Sequence, residues 1–303
     1  MTAFLFLINV LVWGFSWIAI TVQIGEAPAE IALLYRVALA AITLFAFLAV
    51  TGRLRPVPLR RQPVMALTGL CLFSLNYLLV YNGAAYIASG VVALLFSTAT
   101  VFNAFNSMVL FGQRQTLRFI AGAVCGMTGL GCLFWRDLAA LDLASEAIIG
   151  AGFVLAGTYI FSLGNMTSRG NNSAGLHMPT TTAWSMVWGT LFLTIYTLAR
   201  GHGFPTDFSA DFYLALLYLA IPGTVIGFLT YLEVVKRIGA PLAAFSTVLY
   251  PAIALTVSTF FEGYQWTPAA VVGLMLIAMG NILVFAPAGV LRIASRMIAR
   301  RTG

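Results

Sequence analysis

Apolar positions in this chain neither alternate nor keep to a single helical stripe. They continue in long runs that show apolar residues on every face, the pattern of helices whose surroundings are themselves apolar. Each run reaches the length of about 20 residues needed to cross a bilayer. Ten are predicted: 2–22, 30–51, 63–86, 89–112, 117–135, 146–166, 180–199, 211–233, 240–261 and 267–286. The third and fourth nearly merge, as do the eighth and ninth. Both joins fall at a glycine, Gly90 and Gly239, where a tight reversal is easiest. The first run has no basic residue before it and is too long for a secretory signal, although Ala27-Pro28-Ala29 imitates a cleavage site.

Composition agrees with lipid as the solvent. Hydrophobic residues make up 61% of the chain and charged residues 8%, against roughly 25% charged in a soluble domain. A net charge of +7 could suggest nucleic acid, but the cations lie in short gaps between apolar runs and form no interleaved patch. They are distributed as membrane topology requires. With the N-terminus inside, Arg53, Arg55, Arg60, Arg61, Arg114, Arg118, Arg169, Lys236, Arg237, Arg292, Arg296, Arg300 and Arg301 fall on the cytoplasmic side. Only Arg136 and Arg200 fall outside, and Arg36 lies within the second span. This is a strong positive-inside bias. All the acids except Glu233 fall outside, and both termini are expected in the cytoplasm.

The chain also repeats itself. Gly90–Thr98 reads GVVALLFST and Gly239–Thr247 reads GAPLAAFST, a shared G-x₅-F-S-T separated by 149 residues. A second pattern, T-x₅-G-x₆-G, occurs at Thr116, Gly122 and Gly129 and again at Thr267, Gly273 and Gly280, offset by 151. Each half holds five predicted spans, an odd number, so the second half enters the membrane inverted. The expected architecture is all-α and integral to the membrane: ten helices in two inverted five-helix repeats, 1–140 and 141–303, the second with a short basic tail. Inverted repeats of this kind place a solute site near the midplane, between the halves.

On these features the chain resembles the drug/metabolite transporter superfamily, EamA type. The resemblance rests on the doubled five-helix unit, Trp13-Gly14, Arg36, and a ninth span with Pro251 at its middle and Glu262 at its end. The first half departs from the repeat, with Phe102 where Pro251 has its counterpart and Gln113 in place of Glu262. The aromatic-rich spans look like the bacterial aromatic amino acid exporters of that superfamily. The resemblance implies a secondary transporter of the bacterial plasma membrane.

Enzyme chemistry has little to work with. His177 and His202 lie in connecting segments, and Cys71, Cys125 and Cys132 lack metal spacing. No metalloprotease, nucleophile-elbow or phosphate-loop motif occurs. No catalytic residue, metal or cofactor is expected. Asn165-Met166-Thr167 and Asn171-Asn172-Ser173 match glycosylation acceptors but fall on the cytoplasmic side.

The polar residues within the spans are uncharged. Asn76, Tyr77, Tyr81 and Asn82 lie on the third span, and Ser97, Thr98, Thr100, Asn103, Asn106 and Ser107 on the fourth. Trp13 and Trp17 share a face of the first, Thr158 and Tyr159 lie on the sixth, Thr230 and Tyr231 on the eighth, and Ser246, Thr247 and Tyr250 on the ninth. Such groups either stitch helices together or line a cavity. The cavity reading assigns substrate contacts to Trp17, Tyr77, Tyr81, Ser97, Asn103, Tyr159, Tyr231, Ser246 and Tyr250. Pro222 and Pro251 would free the carbonyls of Tyr218 and Thr247 and serve as hinges. Arg36 lies about six residues in from the outer surface, within snorkelling reach of it.

A cavity without fixed charge suits a neutral or zwitterionic amphiphile, with aromatic or other large apolar amino acids as the natural example. The expected partners are that small molecule and membrane lipid, with no nucleic acid, and the carrier is a monomer or a weak homodimer. Glu262 is the one acid placed for proton coupling, and its alternative role is interfacial. Other readings are a multidrug or metabolite exporter coupled to protons, a lipid-modifying enzyme, and a scramblase. Direction of flow is open.

Overall fold

A computed structural model describes the chain except residues 88, 134, 136–138, 140–144, 251, 252, 254–265 and 286–303, and the side chains of 17, 18, 21, 24, 89, 90, 93, 145 and 173. Pro251 and Glu262 therefore lie outside the described residues. Every described element is helical, as it must be where lipid offers the backbone no hydrogen bonds. In the first half these are α1 (Thr2–Ile24), α2 (Ala29–Val50), a 3₁₀ turn (Leu59–Arg61), α3 (Gln62–Gly69), a π-helical stretch (Leu70–Leu75), α4 (Asn76–Ala84), α5 (Ser89–Ser97), α6 (Ala99–Phe111) and α7 (Leu117–Leu133). In the second half they are α8 (Ser145–Ser173), α9 (Met178–Ala199), α10 (Ala210–Tyr218), a π-helical stretch (Leu219–Ile226), α11 (Gly227–Ile238), α12 (Ala240–Ala244), a 3₁₀ turn (Phe245–Val248) and α13 (Pro268–Phe285).

Among the described residues, six helical segments are long and apolar enough to cross a membrane: Ala29–Val50, Leu59–Ala84, Leu94–Phe111, Glu146–Asn172, Ala210–Ile238 and Pro268–Phe285. Thr2–Ser16 and Leu117–Leu133 are shorter apolar helices.

Helix pairing follows one exchange rule between the halves. α1 packs on α11, and α8 on α4. α2 packs on the π-helical Leu219–Ile226, and α9 on α3. α2 meets α9, α6 meets α12, and α7 meets α13. The two π-helical stretches begin 149 residues apart, the offset of the F-S-T motif. Each carries a hydroxyl that donates back to the carbonyl five residues earlier: Ser74 to Gly69 at 3.2 Å and Thr224 to Leu219 at 2.7 Å. A π-turn loosens the backbone ladder, and a hydroxyl one turn later takes up the acceptor it exposes.

The α7–α13 seam is built from the T-x₅-G-x₆-G glycines. A Cβ on Gly129 would sit 2.7 Å from the Gly273 carbonyl oxygen, and one on Gly273 2.5 Å from that of Gly129. Gly122 and Gly280 face each other in the same reciprocal way, at 2.8 and 2.7 Å. Only glycine allows backbones this close, and such contact replaces the hydrophobic drive that lipid removes. Gly239 joins α11 to α12 with φ +87°, as expected of a tight reversal. Gly90 differs: it lies in the first turn of α5, and the reversal occurs at the turn that precedes it.

The two F-S-T motifs are helix breaks. α5 ends at Ser97 and α6 resumes at Ala99, while α12 gives way to a 3₁₀ turn at Phe245–Val248. At each break the threonine hydroxyl caps the carbonyl three residues back, Thr98 to Leu95 at 2.6 Å and Thr247 to Ala244 at 2.8 Å. A carbonyl released from the α-ladder within lipid needs such a donor.

Candidate cavity between the halves

One cavity of about 300 Å³ opens among α1, α2, α4, α5, α8, α11 and Tyr250, at the small end of the ~300–1,000 Å³ range of small-molecule sites. Its wall residues Ile20, Ala84 and Val92 come from the helix ends that meet the 25–28 and 85–88 connections, so the cavity occupies that side of the bundle. Trp13 is the hub of its apolar wall. The indole lies 5.0 Å from the Phe228 ring, 5.3 Å from Tyr231 and 5.6 Å from Tyr250, in edge-on or tilted contacts. Its Nε1 donates to the Gly223 carbonyl at 2.6 Å. That carbonyl belongs to the π-helical stretch containing Pro222, where the normal ladder is interrupted. Phe96 and Phe161 complete the aromatic wall with rings 5.3 Å apart.

The polar flank consists of Ser16, Arg36, Asn76, Tyr77 and Tyr81. Arg36 corrects its expected interfacial placement. The residue is only 3% exposed, because Thr224 and Tyr77 hold its head inside the bundle. Nε donates to Thr224 Oγ1 at 2.9 Å and Nη2 to the Tyr77 hydroxyl at 3.2 Å. The guanidinium carbon also stands 4.8 Å from the Tyr77 ring centroid. Nη1 has no hydrogen-bond partner among the described residues, and neither does the buried Tyr81 hydroxyl, which lies close enough to feel the Arg36 charge. No ion pair reaches Arg36 among the described residues.

Opposite the cavity, toward the 112–116 and 174–177 connections, the halves meet through amides and hydroxyls. Asn165 Nδ2 donates to the Tyr231 hydroxyl at 2.9 Å and to Asn103 Oδ1 at 3.2 Å. Asn106 Nδ2 donates to Ser162 Oγ at 2.8 Å. The Tyr250 hydroxyl lies 2.8 Å from Ser246 Oγ and donates to Asn9 Oδ1 at 2.6 Å, while Asn9 Nδ2 donates to the Gly227 carbonyl at 3.1 Å. Asn103 Nδ2 and Asn165 Oδ1 are left without partners among the described residues.

Of the residues assigned to the substrate from sequence, Tyr77, Tyr81 and Tyr250 line the cavity. Tyr231 is fully buried beneath it, against Trp13 and Phe161. Asn103, Ser97 and Ser246 are buried away from it, Ser246 behind Tyr250 and Asn103 in the closed seam. Tyr159 is placed elsewhere: its ring stands edge-on to Phe102 and is 38% exposed on the outer surface. The side chain of Trp17 and all of Pro251 lie outside the described residues. Pro222 sits in a π-helical stretch that stays continuous between α10 and α11.

Sequence reasoning passed over Asn9, Ser16, Phe161 and Phe228, read Asn165 only as a glycosylation match, and gave Arg36 an interfacial place. A lone cation in a 22-residue apolar helix was the legible signal for Arg36, since an intramembrane charge is costly and rarely idle.

The sequence pattern of the EamA-like transporter family matches residues 1–135 and 148–286. A probable terminal-alkyne amino-acid exporter of Streptantibioticus cattleyicolor is 28% identical over 91% of this chain and 91% of its own length. Transporter YoaV of Bacillus subtilis is 23% identical over 89% of this chain and 91% of its own. The inner membrane transporter YedA of Escherichia coli K12 is 24% identical over 90% and 89%. A solved crystal structure superposes with a TM-score of 0.78 at 17% identity, covering 96% of this chain and 98% of the other, a likeness of fold.

Proposed function

The chain belongs to the EamA-like transporter family, and on that premise we propose that it is a secondary carrier, exporter or facilitator, of aromatic or other large apolar amino acids. The observation that carries this reading is the cavity itself. Trp13, Phe96, Phe161, Phe228 and Tyr250 offer an aromatic wall to a substrate body, and polar groups gather on one flank for its charged end. The relative named for terminal-alkyne amino-acid export supports the same chemistry, an amino acid with an apolar side chain.

The carrier is proposed to span the plasma membrane of a bacterium ten times, as inverted five-helix units 1–140 and 141–303, with both termini cytoplasmic. The shared 149-residue offset and the exchange of helix partners between the halves support that architecture. Obligatory proton coupling is not proposed; Glu262, the one acid placed for it from sequence, lies outside the described residues. The protein works as a monomer or weak homodimer, without a cofactor.

Purified protein in liposomes should show saturable counterflow of phenylalanine or another large apolar amino acid at equal pH on both sides. Absence of saturable flux for the whole panel would overturn the carrier reading. Arg55→Cys and Asp207→Cys, in a background without Cys71, Cys125 and Cys132, should react with an impermeant thiol reagent from opposite faces of intact cells. Labelling of both from one face would overturn the inverted topology.

A further inference from the structure

We propose that Arg36 is the carboxylate receptor of the cavity, so that the carrier selects its substrates by their carboxylate. The inference rests on the carrier reading and names the group which that reading leaves open. A buried guanidinium is stable only when its charge and its N–H groups are answered. Here the answer is partial: Thr224 and Tyr77 take Nε and Nη2, while Nη1 has no hydrogen-bond partner among the described residues. Both acceptors are neutral hydroxyls, and no acid lines the cavity among the described residues.

The side chain is also aimed. Thr224 donates its own proton to the Leu219 carbonyl at 2.7 Å, which turns an oxygen lone pair toward Nε. The π-helical stretch of the second half thus fixes a cation borne by the first. Beside it, the Tyr81 hydroxyl is buried, makes no hydrogen bond of good geometry among the described residues, and stands close enough to Arg36 for a small shift to join them. A carboxylate can answer both groups at once, one oxygen accepting from Arg36 Nη1 and the other from the Tyr81 hydroxyl. Charge-assisted bonds of this kind are roughly twice as strong as neutral ones. Among the described residues, Asn76, Ser16 and the tyrosines offer an ammonium group only neutral partners, so recognition is assigned to the carboxylate. The aromatic wall then holds whatever apolar body the carboxylate carries.

The test is a set of ligands matched in body and different in head group. Full-length protein in detergent is titrated with 3-phenylpropionate, 3-phenylpropionamide, L-phenylalanine, L-phenylalaninamide, hexanoate and hexanamide, and the melting temperature is followed. Each acid should stabilise the protein at concentrations at least tenfold below its amide. 3-Phenylpropionate, which lacks the amine, should act within a few-fold of L-phenylalanine. Arg36→Gln should erase the preference for acid over amide, and Arg36→Lys should restore part of it. Equal response to acid and amide in the wild-type protein would overturn the proposal without recourse to a variant, as would a preference kept by Arg36→Gln. Failure of the acids to stabilise the protein with either body would overturn it as well. Failure of the carrier reading would look different, with carboxylate binding present but no saturable flux in liposomes.

Discussion

The two F-S-T motifs break their helices in the same way and face different surroundings. In the first, Phe96 is half-buried on the cavity wall against Phe161. In the second, Phe245 is fully buried, with its ring 6.0 Å from Phe119 and 6.0 Å from Phe285, over the glycines of the α7–α13 seam. Local structure therefore obeys the repeat while environment does not. Alike in backbone and unlike in packing, the two breaks stand among different neighbours, one on the cavity wall and one over the glycine seam.

The largest expected effect separates the two phenylalanines. Phe245→Ala removes a fully buried ring and should cost about 3–4 kcal/mol, a fall of roughly 10 °C in melting temperature. Phe96→Ala, at the edge of open space, should cost less than about half of that and instead weaken binding of aromatic substrates relative to aliphatic ones. Thermal melts of both variants, with a binding assay for Phe96→Ala, check this. Equal destabilisation would mean that the two breaks are packed alike.

A smaller effect is expected where the closed side is held by amides. Tyr231→Phe deletes the hydroxyl that accepts from Asn165 and should weaken the seam by about 1–2 kcal/mol. Hydrogen–deuterium exchange should rise in the segments around Asn103 and Asn165 while the glycine seam stays protected. Each of these amides has one unpaired atom among the described residues, Asn103 Nδ2 and Asn165 Oδ1. The seam of Gly122, Gly129, Gly273 and Gly280 has no slack of that kind.

The smallest effect concerns the contact between the 25–28 connection and the start of α10. Ser209, the N-cap of α10, donates its hydroxyl to Glu26 at 2.5 Å and its backbone N–H at 3.0 Å. These two bonds hold the Glu26 carboxyl below its ordinary value of 4.5. A lowered pKa stabilises the folded form above the ordinary value, and that contribution is lost as pH falls through the lowered one. Melting temperature should drop slightly more for wild-type protein than for Glu26→Gln as pH falls below about 4.5, and their curves should run parallel above it.

The local roles of the two doubled motifs were legible because they are written in residues that act locally. Glycine permits close approach wherever it stands, and a Ser-Thr pair caps carbonyls within its own turn, so G-x₅-F-S-T and T-x₅-G-x₆-G carry their structural meaning with them. Which way a side chain faces was less legible. Ser97, Ser246 and Tyr159 are polar residues on apolar helices, and polarity alone does not distinguish a cavity wall from a seam or an outer surface. The break at Thr98 also interrupts the span between α5 and α6, which defeats an unbroken helical wheel. Arg36 was misplaced because depth along one helix says nothing of the partner across from it. Thr224 lies 188 residues away, and no local pattern joins them.

Arg36 Nη1, unpaired among the described residues, has a kinetic consequence. If the guanidinium reads the carboxylate, the loaded carrier reorients with that charge matched, whereas the empty carrier must reorient with it bare or drag water through the aromatic wall. The return of the empty form is then the slow half of the cycle. Such a carrier exchanges faster than it releases, and substrate on the far side of the membrane accelerates departure from the near side.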